Sequence, residues 1–522
     1  MNSATEQGLA EPHLRQVLAG AGLDVEYVRA EGNTLYLRDD NGTEVPVLDL
    51  AGGYGSLMFG HNPPQIVEYA REILAQGTPV HTQFSRHSHA NDVAVALNRI
   101  VRREQATHAN GGKPVEDYLA IFASTGAEAI EAAVKHAEFD RVLRLQAIGE
   151  EIAAHAEEAR AAVREGRAEA DGGAAGLEER IAGIEASNAA LMTRPPLFLT
   201  LEGSFHGKLM GSGQLTHNEG YRVPFRGLGA QSRFVPLNDA GALAKVVAGE
   251  AASLLDVAVR DGRVVVVERP FPVFCAFLVE PIQGEGGIHA VTPEFVLELH
   301  RVCDEIGCPV IVDEIQSGMG RTGAFLASTH VGLRGDYYAL AKSLGGGIAK
   351  ASVMLVRRDH YREQFELLHS STFAKDGFST LIAAKVLDMM EADSGGVYRL
   401  AAERGDRLRA TLEAVRADYP DVVKDVRGRG LMQGLEFHDQ SGSSAGPLSE
   451  MAQNGLFGYL VAGHLLNGHR VRTFPTASAA NTLRFEPSVL LTDAETGLLE
   501  SALRDICEII RDQDAQRLVL SQ

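Results

Sequence analysis

Tryptophan is absent from the 522 residues, aromatic residues make up 6%, and cysteine occurs four times. Cys275, Cys303, Cys308 and Cys507 form neither a CxxC motif nor a dense set of pairs. Secreted proteins that rely on disulfides show the opposite pattern. The cysteine content therefore favours a reduced, cytoplasmic protein.

Long apolar runs are also missing, and none approaches the length that crosses a membrane. Residues 1–14 lack the basic start and the apolar core of a signal peptide. His87 and His89 stand without a further cluster of ligands, so we interpret them as surface histidines and predict no metal site. We expect no membrane partner.

Basic residues are outnumbered, with 49 Lys and Arg against 69 Asp and Glu and a formal charge of −20. Such an acidic balance argues against a nucleic-acid partner. The hydrophobic share of 45% and the charged share of 23% are typical of a soluble globular enzyme. The length exceeds one compact core, which predicts a large domain and at least one smaller domain.

The residues from 278 to 347 carry the strongest functional signal. Glu280 and Asp313 end apolar, strand-like runs, and Lys342 follows a short one. Between the two acids, Thr292 and Gly307 bound a predicted helix, so strand, helix and strand predict a parallel sheet with its ligand at the carboxyl ends. A lysine that joins an aldehyde and a carboxylate that holds a ring nitrogen protonated are what pyridoxal phosphate (PLP) requires.

Two further turns fit a phosphorylated, flat cofactor. The segment YLAIFASTGAEAIEAAVK predicts a strand, a turn at Thr125 and Gly126, and a helix whose first N–H groups can bind phosphate. The segment PLFLTLEGSFHG places Phe205 and His206 in a turn after a strand, where an aromatic ring can stack on the cofactor. Taken alone, each turn also fits an ordinary helix cap or core aromatic.

Residues 141–194 are rich in Ala, Glu and Arg, with apolar residues at three- and four-residue steps. This pattern predicts a long helix, a break at Gly172-Gly173 and a second helix that ends at Pro195-Pro196. We interpret this helical hairpin as a packing or interface insertion. In the last third, Arg484 lies in an apolar strand and needs an anion, either a substrate carboxylate or a structural partner.

Together these motifs resemble the class III (omega) aminotransferases of the fold type I PLP enzymes, including STGAEAIEAAVK, SFHG, VEPIQGEGG and VDEIQSGMGRTG. The resemblance covers most of the chain outside 141–194. It implies an α/β fold with a mostly parallel, seven-stranded sheet flanked by helices, plus a smaller α+β domain. The implied parts are an N-terminal segment (1–75), a large PLP-binding domain (76–370) that carries the insertion, and a small domain (371–522).

The resemblance also implies roles for individual residues. Lys342 would join the cofactor, Asp313 would contact the pyridine nitrogen and Gln316 would lie near the phenolic oxygen. Thr372 would reach the phosphate of a neighbouring subunit, which implies a homodimer with active sites at the interface. The remaining implied residues are Thr125, Gly126 and Ala127 at the phosphate, Phe205, His206 and Glu280 around the ring, and Tyr54, Glu285 and Arg484 for the substrate.

The chain departs from the family in two places. Ala374, Lys375, Asp376 and Gly377 follow HSSTF where two glycines and Asn-Pro are usual, and Glu486-Pro487-Ser488 replaces a double proline. We expect the substrate side of the site to differ accordingly. The insertion is similar to that of long variants from antibiotic biosynthesis.

The expected activity is a ping-pong transamination from an amino acid, with glutamate the leading donor, to an aldehyde or ketone. The cofactor would alternate between PLP and pyridoxamine phosphate. An aminomutase, epimerase or decarboxylase on the same scaffold stays open as an alternative. A rival of another class is a catalytically silent protein that uses the helical hairpin to bind a partner.

Overall fold

The structure is a computed structural model that describes residues 11–39, 41–82, 84–107 and 117–519. Of the stretch in which we found no signal peptide, residues 1–10 lie outside these ranges. Among the described residues, no helix combines the length and the apolar character that spanning a bilayer demands.

A seven-stranded sheet forms the centre of the molecule. In spatial order, its strands are Tyr118–Ala123, Ser352–Arg357, Tyr337–Leu340, Val310–Asp313, Phe274–Val279, Leu197–Leu201 and Gln231–Val235. All neighbouring pairs are parallel except the two made by Ser352–Arg357, which runs antiparallel to both of its neighbours. The predicted mostly parallel, seven-stranded α/β sheet is confirmed.

The central strands are apolar throughout because helices cover both faces of the sheet. Every residue of Phe274–Val279 and of Val310–Asp313 is buried. The helix Pro293–Ile306 connects these two strands, and it begins and ends where the sequence predicts. The Thr292 side chain accepts a hydrogen bond from Phe295 N at 3.2 Å, and Gly307 ends the helix with a φ of 62°.

The remaining strands form smaller sheets. One contains Tyr27–Glu31, Thr34–Arg38, Glu44–Asp49 and Val471–Arg472, and another contains Val423–Arg429, Met432–Phe437, Thr482–Phe485 and Phe474–Pro475. Two-stranded sheets are formed by Ser253–Arg260 with Arg263–Pro270, and by Ile282–Gln283 with His289–Ala290. Since Val471–Arg472 pairs with Glu44–Asp49, the N-terminal segment is joined to the C-terminal part of the chain. The proposed domain boundaries at 75/76 and 370/371 stay predictions.

The helices surround these sheets. Before the insertion they are Pro12–Gly20, Gly52–Gly55, Pro64–Ala75 and Ser88–Ala106; after it they are Met210–Gln214, Glu219–Arg222, Ala240–Glu250, Pro293–Ile306, Phe365–Leu368, Gly377–Asp418, Gly446–Gln453, Phe457–His469, Asp493–Arg511 and Ala515–Val519. Short 3₁₀ helices lie at Val223–Leu228, Ala327–Val331 and Lys342–Gly345. The long helix Gly377–Asp418 is bent at residues 392–395, where the backbone leaves helical geometry.

The insertion is a helical hairpin, as the sequence predicts, but its first helix ends earlier. Gly126–Arg164 is one continuous helix, and the second helix is Gly173–Met192. The break spans residues 165–172 instead of Gly172-Gly173 alone. The backbone of Glu169 in this break pairs with the neighbouring strand hairpin. Glu169 N donates to Gly262 O, and Val264 N donates to Glu169 O.

Candidate active site

Three of the predicted side chains lie at the carboxyl ends of central strands of the sheet. Glu280 follows the strand Phe274–Val279, Asp313 ends Val310–Asp313, and Lys342 follows Tyr337–Leu340. These strands are adjacent and parallel, so their carboxyl ends lie side by side. The sequence predicts that a ligand binds at these carboxyl ends.

Asp313 is held by a buried histidine. Its Oδ2 lies 2.8 Å from Nδ1 of His206, and its Oδ1 accepts a hydrogen bond from Ile315 N at 3.0 Å. The other ring nitrogen of His206 lies 3.1 Å from Oγ1 of Thr200. Burial lowers the pKa of His206, but the hydrogen bond to Asp313 and the charges of Asp313 and Glu280 outweigh burial, so the net shift is upward. His206 therefore orients the Asp313 carboxylate.

Glu280 connects the turn with Phe205 to the strand edge. One carboxylate oxygen accepts from Phe205 N at 2.9 Å and the other from Gly284 N at 3.2 Å. Burial raises the pKa of Glu280 to about 7, and the negative charge of Asp313 acts in the same direction. Glu280 thus shapes the loops around the site, which agrees with a supporting role.

The predicted phosphate turn is the start of the helix Gly126–Arg164. Thr125 caps it: the Thr125 side chain accepts from Glu128 N, and the Glu128 carboxylate accepts from Thr125 N at 3.0 Å. Gly126 and Ala127 occupy the first two helical positions, whose N–H groups have no acceptor within a helix. A side chain at Gly126 would come within 2.9 Å of Ile315, and one at Gly207 within 2.8 Å of Ala127. The turns with Thr125, His206 and Asp313 therefore lie against one another.

Lys342 adopts a left-handed backbone conformation with a φ of 48°. Burial lowers the pKa of Lys342, and the negative charges of Glu486, Glu285 and Asp313 oppose that effect. A lysine with a lowered pKa supplies the neutral amine that attacks a carbonyl group.

Gln316 contacts a residue to which we assigned no role from the sequence. Its Nε2 donates to Oε1 of Glu486 at 2.7 Å. Glu486 is completely buried, and its Oε2 has no hydrogen-bond partner. The sequence does contain a signal for Glu486, because it is a charged residue directly after the apolar strand Thr482–Phe485.

Glu285 and Arg484 form a bidentate ion pair within the site. Arg484 also donates to Pro475 O at 3.0 Å, and Glu285 accepts from Ala477 N at 2.8 Å. Burial raises the pKa of Glu285, but the charge of Arg484 outweighs burial and holds the pKa below its usual range. The Cζ atom of Arg484 lies 4.9 Å from the centroid of the Tyr54 ring. Tyr54 has a φ of 56°. Of the two partners that the sequence left open for Arg484, the structure shows a structural one, Glu285, and a role in binding a substrate carboxylate stays a prediction.

Two predicted residues lie apart from this cluster. Thr372 is exposed in the segment after Phe365–Leu368, and Lys375 is exposed with a φ of 55°. The role of Thr372 toward a second subunit stays a prediction.

Phe205 contacts Tyr221 edge to face with ring centroids 6.2 Å apart.

The residues present fit the cofactor that the sequence predicts. A carboxylate fixed by a histidine, a half-buried lysine and a helix start with unpaired N–H groups supply partners for a ring nitrogen, an aldehyde and a phosphate. Around the same site, Arg484 Nε and Glu486 Oε2 are buried without hydrogen-bond partners. Such polar atoms are costly unless a bound group uses the site.

Comparisons with known proteins identify the fold and the family. An omega transaminase variant, engineered for asymmetric synthesis of enantiopure bulky amines, is 18% identical with a TM-score of 0.68, covering 96% of both chains. The ornithine aminotransferase from Toxoplasma gondii is 20% identical with a TM-score of 0.63, covering 94% of this chain and 92% of that chain. Another structure of that enzyme has partial occupancy of PLP at its active site. Because residues 19–484 match the family model for class-III aminotransferases, the chain belongs to that family of PLP-dependent enzymes.

Proposed function

We propose that the protein transfers an amino group from L-glutamate to an aldehyde or ketone by a ping-pong mechanism. The observation that carries this proposal is the buried ion pair of Glu285 and Arg484 beside Lys342. A ping-pong enzyme must accept a donor with two carboxylates and an acceptor with fewer in one site. An arginine that can exchange an internal carboxylate for a substrate carboxylate meets that requirement.

The protein residues divide the work of proton transfer and charge stabilisation. PLP, when bound, supplies an aldehyde and a ring that withdraws electrons. In our proposal Lys342 Nζ moves a proton between the donor carbon and the carbon of the cofactor that carries the amino group. Asp313, oriented by His206, holds the proton on the ring nitrogen. Gln316 would contact the phenolic oxygen.

The start of the helix Gly126–Arg164 would bind the phosphate through the N–H groups of Gly126 and Ala127. Phe205 would cover one face of the ring, since Glu280 holds its backbone and Tyr221 contacts its side chain. Tyr54 would border the substrate, because it is partly exposed and lies over Arg484. These roles follow from the contacts around one sheet edge.

A cytoplasmic homodimer with Thr372 at the second site is part of the proposal. Phe373, next to Thr372, is 67% exposed, and Phe225 and Leu228 are exposed to similar extents. Large apolar side chains at a surface favour contact with another chain. A homodimer would cover them and complete each site.

Replacing the lysine tests the assignment. Lys342→Ala should retain the fold and lose turnover, because it removes the amine that would join the cofactor and carry the proton. The experiment measures the oxo acid released from glutamate in the presence of an added aldehyde. We expect one molecule of oxo acid for each molecule of aldehyde consumed. That stoichiometry also separates a transaminase from an aminomutase, epimerase or decarboxylase.

Wild-type turnover by folded Lys342→Ala would contradict the assignment of the lysine. A wild-type protein that consumes more than one equivalent of glutamate per active site without the aldehyde, or binds no PLP, would contradict the transaminase proposal. Circular dichroism of the variant, compared with wild type, shows that loss of turnover is not loss of fold.

A further inference from the structure

Glu486 is a buried acid whose position calls for an explanation. It follows the strand Thr482–Phe485, two residues after Arg484, and is completely buried. Among the buried carboxylate oxygens of the described residues, its Oε2 alone has no hydrogen-bond partner. Its Oε1 accepts from Gln316 Nε2 at 2.7 Å. Because a buried carboxylate oxygen without a hydrogen-bond partner is costly, a function for this carboxylate is expected.

The nearby arginine does not hold Glu486. Arg321 donates to the carbonyl oxygens of Leu431, Pro487 and Gly55 at 3.0, 2.9 and 3.1 Å. These contacts fix the guanidinium group and leave its Nε without a partner. The charge of Glu486 is therefore not consumed by a hydrogen-bonded ion pair.

Lys342 also lies near Glu486, because Gly55 O accepts from Ser343 Oγ at 2.9 Å and a side chain at Gly55 would come within 3.4 Å of Glu486 Oε1. Glu486 acts on the charges of Arg321 and Arg484 as well. Burial lowers the pKa of Lys342, and among neighbouring charges Glu486 opposes that effect most, ahead of Glu285 and Asp313. Arg484 acts in the opposite sense. Glu285 already forms an ion pair with Arg484. Glu486 has no such ion pair, so its negative charge can stabilise a positive nitrogen at Lys342.

We propose that Glu486 is a positioning residue, which holds the Gln316 amide with Oε1 and stabilises the cationic nitrogen at Lys342 with its remaining charge. It acts through two residues assigned to the cofactor and needs no contact with the substrate. This inference rests on the proposed role of Lys342.

The test is a pH titration of the visible absorbance of the holoenzyme, which reports protonation of the nitrogen that joins Lys342 to the cofactor. Glu486→Gln keeps the size and can still accept from Gln316, but removes the charge. We expect the midpoint to fall by about one pH unit, since a neighbouring opposite charge shifts a pKa by that order. Glu486→Ala should shift the midpoint in the same direction, and Glu486→Asp, which keeps the charge, should stay nearer to wild type.

The control is Glu403→Gln, which removes the charge of an exposed acid paired with Arg407 and should leave the midpoint unchanged. An unchanged midpoint in either charge-free variant, once folded and loaded, would overturn the proposal, as would an equal shift in Glu486→Asp. Borohydride reduction and peptide mapping show separately where the cofactor is attached. Attachment away from Lys342 refutes the proposed function itself, whereas attachment at Lys342 with an unchanged midpoint refutes the role of Glu486 alone.

Discussion

The pair of Glu285 and Arg484 shows how one residue contact can set substrate choice. Both side chains are buried, and each neutralises the other in the state described here. The charge of Arg484 is therefore neutralised without a ligand, which suits a substrate that lacks a second carboxylate. For glutamate, the Glu285 side chain must move so that Arg484 is free to bind the substrate.

Glu285→Ala should separate the two half-reactions. Glutamate supplies its own carboxylate to Arg484, so the first half-reaction should change little. A substrate without that carboxylate leaves Arg484 buried and unpaired, at a cost of about 2–5 kcal/mol, so kcat/KM of that half-reaction should fall by on the order of 100-fold. Single-turnover absorbance measurements with each substrate give the two values.

Equal losses in both half-reactions would argue against the exchange. Glu285→Gln serves as the matched control for size, because it preserves the volume of the side chain but cannot neutralise Arg484. It should resemble the alanine variant in direction.

The site residues differ in how well the sequence could predict them. Lys342 and Asp313 were found from polar residues at the ends of apolar runs, and the structure brings both to one sheet edge. Glu486 has the same signal but was noted only as a departure from the family. Its role depends on Gln316, which is 170 positions away in the chain, and no local pattern shows that the two face each other.

At the scale of elements, local signals predicted what local forces determine. Asn41-Gly42 between alternating apolar and polar residues is typical of a hairpin, and the strands on either side, Thr34–Arg38 and Glu44–Asp49, are paired. The helix from Pro293 has its predicted cap and end. The direction of Ser352–Arg357 could not be predicted, because a strand with apolar residues on both faces has the same pattern in either direction. The end of the first insertion helix depends on pairing with Gly262 and Val264, which is not local.

The insertion has an apolar cluster of its own. Leu177, Ile181 and Ile184 on the second helix contribute to it together with alanines of the first helix and with Val257 and Val264 of the strand hairpin. A cavity of about 200 Å³ lies between these helices and Val257. The first helix also contributes Leu145 and Ile152 to the core around the central sheet, whereas Leu177, Ile181 and Ile184 of the second helix belong to the separate cluster. We therefore expect that the second helix can loosen without disturbing the active site.

Leu177→Ala should destabilise the insertion selectively. Leu177 is buried, and its truncation costs about 2–5 kcal/mol where the surroundings cannot collapse. Hydrogen exchange should increase in residues 150–192, while turnover should stay within about twofold of wild type, since that cost falls on an element that makes no contact with the site. Glu179→Ala, exposed on the same helix, is the control and should leave exchange unchanged. A large loss of turnover in Leu177→Ala would show that the hairpin and the site are coupled.

At the scale of the whole molecule, the proposed homodimer makes each active site depend on two chains. Lys342 belongs to one chain, and Thr372 would come from the other, because it is exposed in a segment next to the apolar Phe373. Thr372→Ala should then weaken cofactor affinity by about 10- to 100-fold, since a hydrogen bond to a charged phosphate is worth about 1.5–3 kcal/mol. Fluorescence titration of the apoenzyme with PLP measures that affinity.

Mixing two impaired variants tests the arrangement directly. In a hybrid dimer of Lys342→Ala and Thr372→Ala chains, one site combines an intact Lys342 with an intact Thr372 from the neighbour. Activity at limiting PLP should therefore rise above that of either variant alone, toward half of the wild-type value per hybrid dimer. If Thr372 served the site of its own chain, each hybrid site would keep one defect and mixing would restore nothing. The same preparations, examined by analytical ultracentrifugation, show whether the chains form dimers at all.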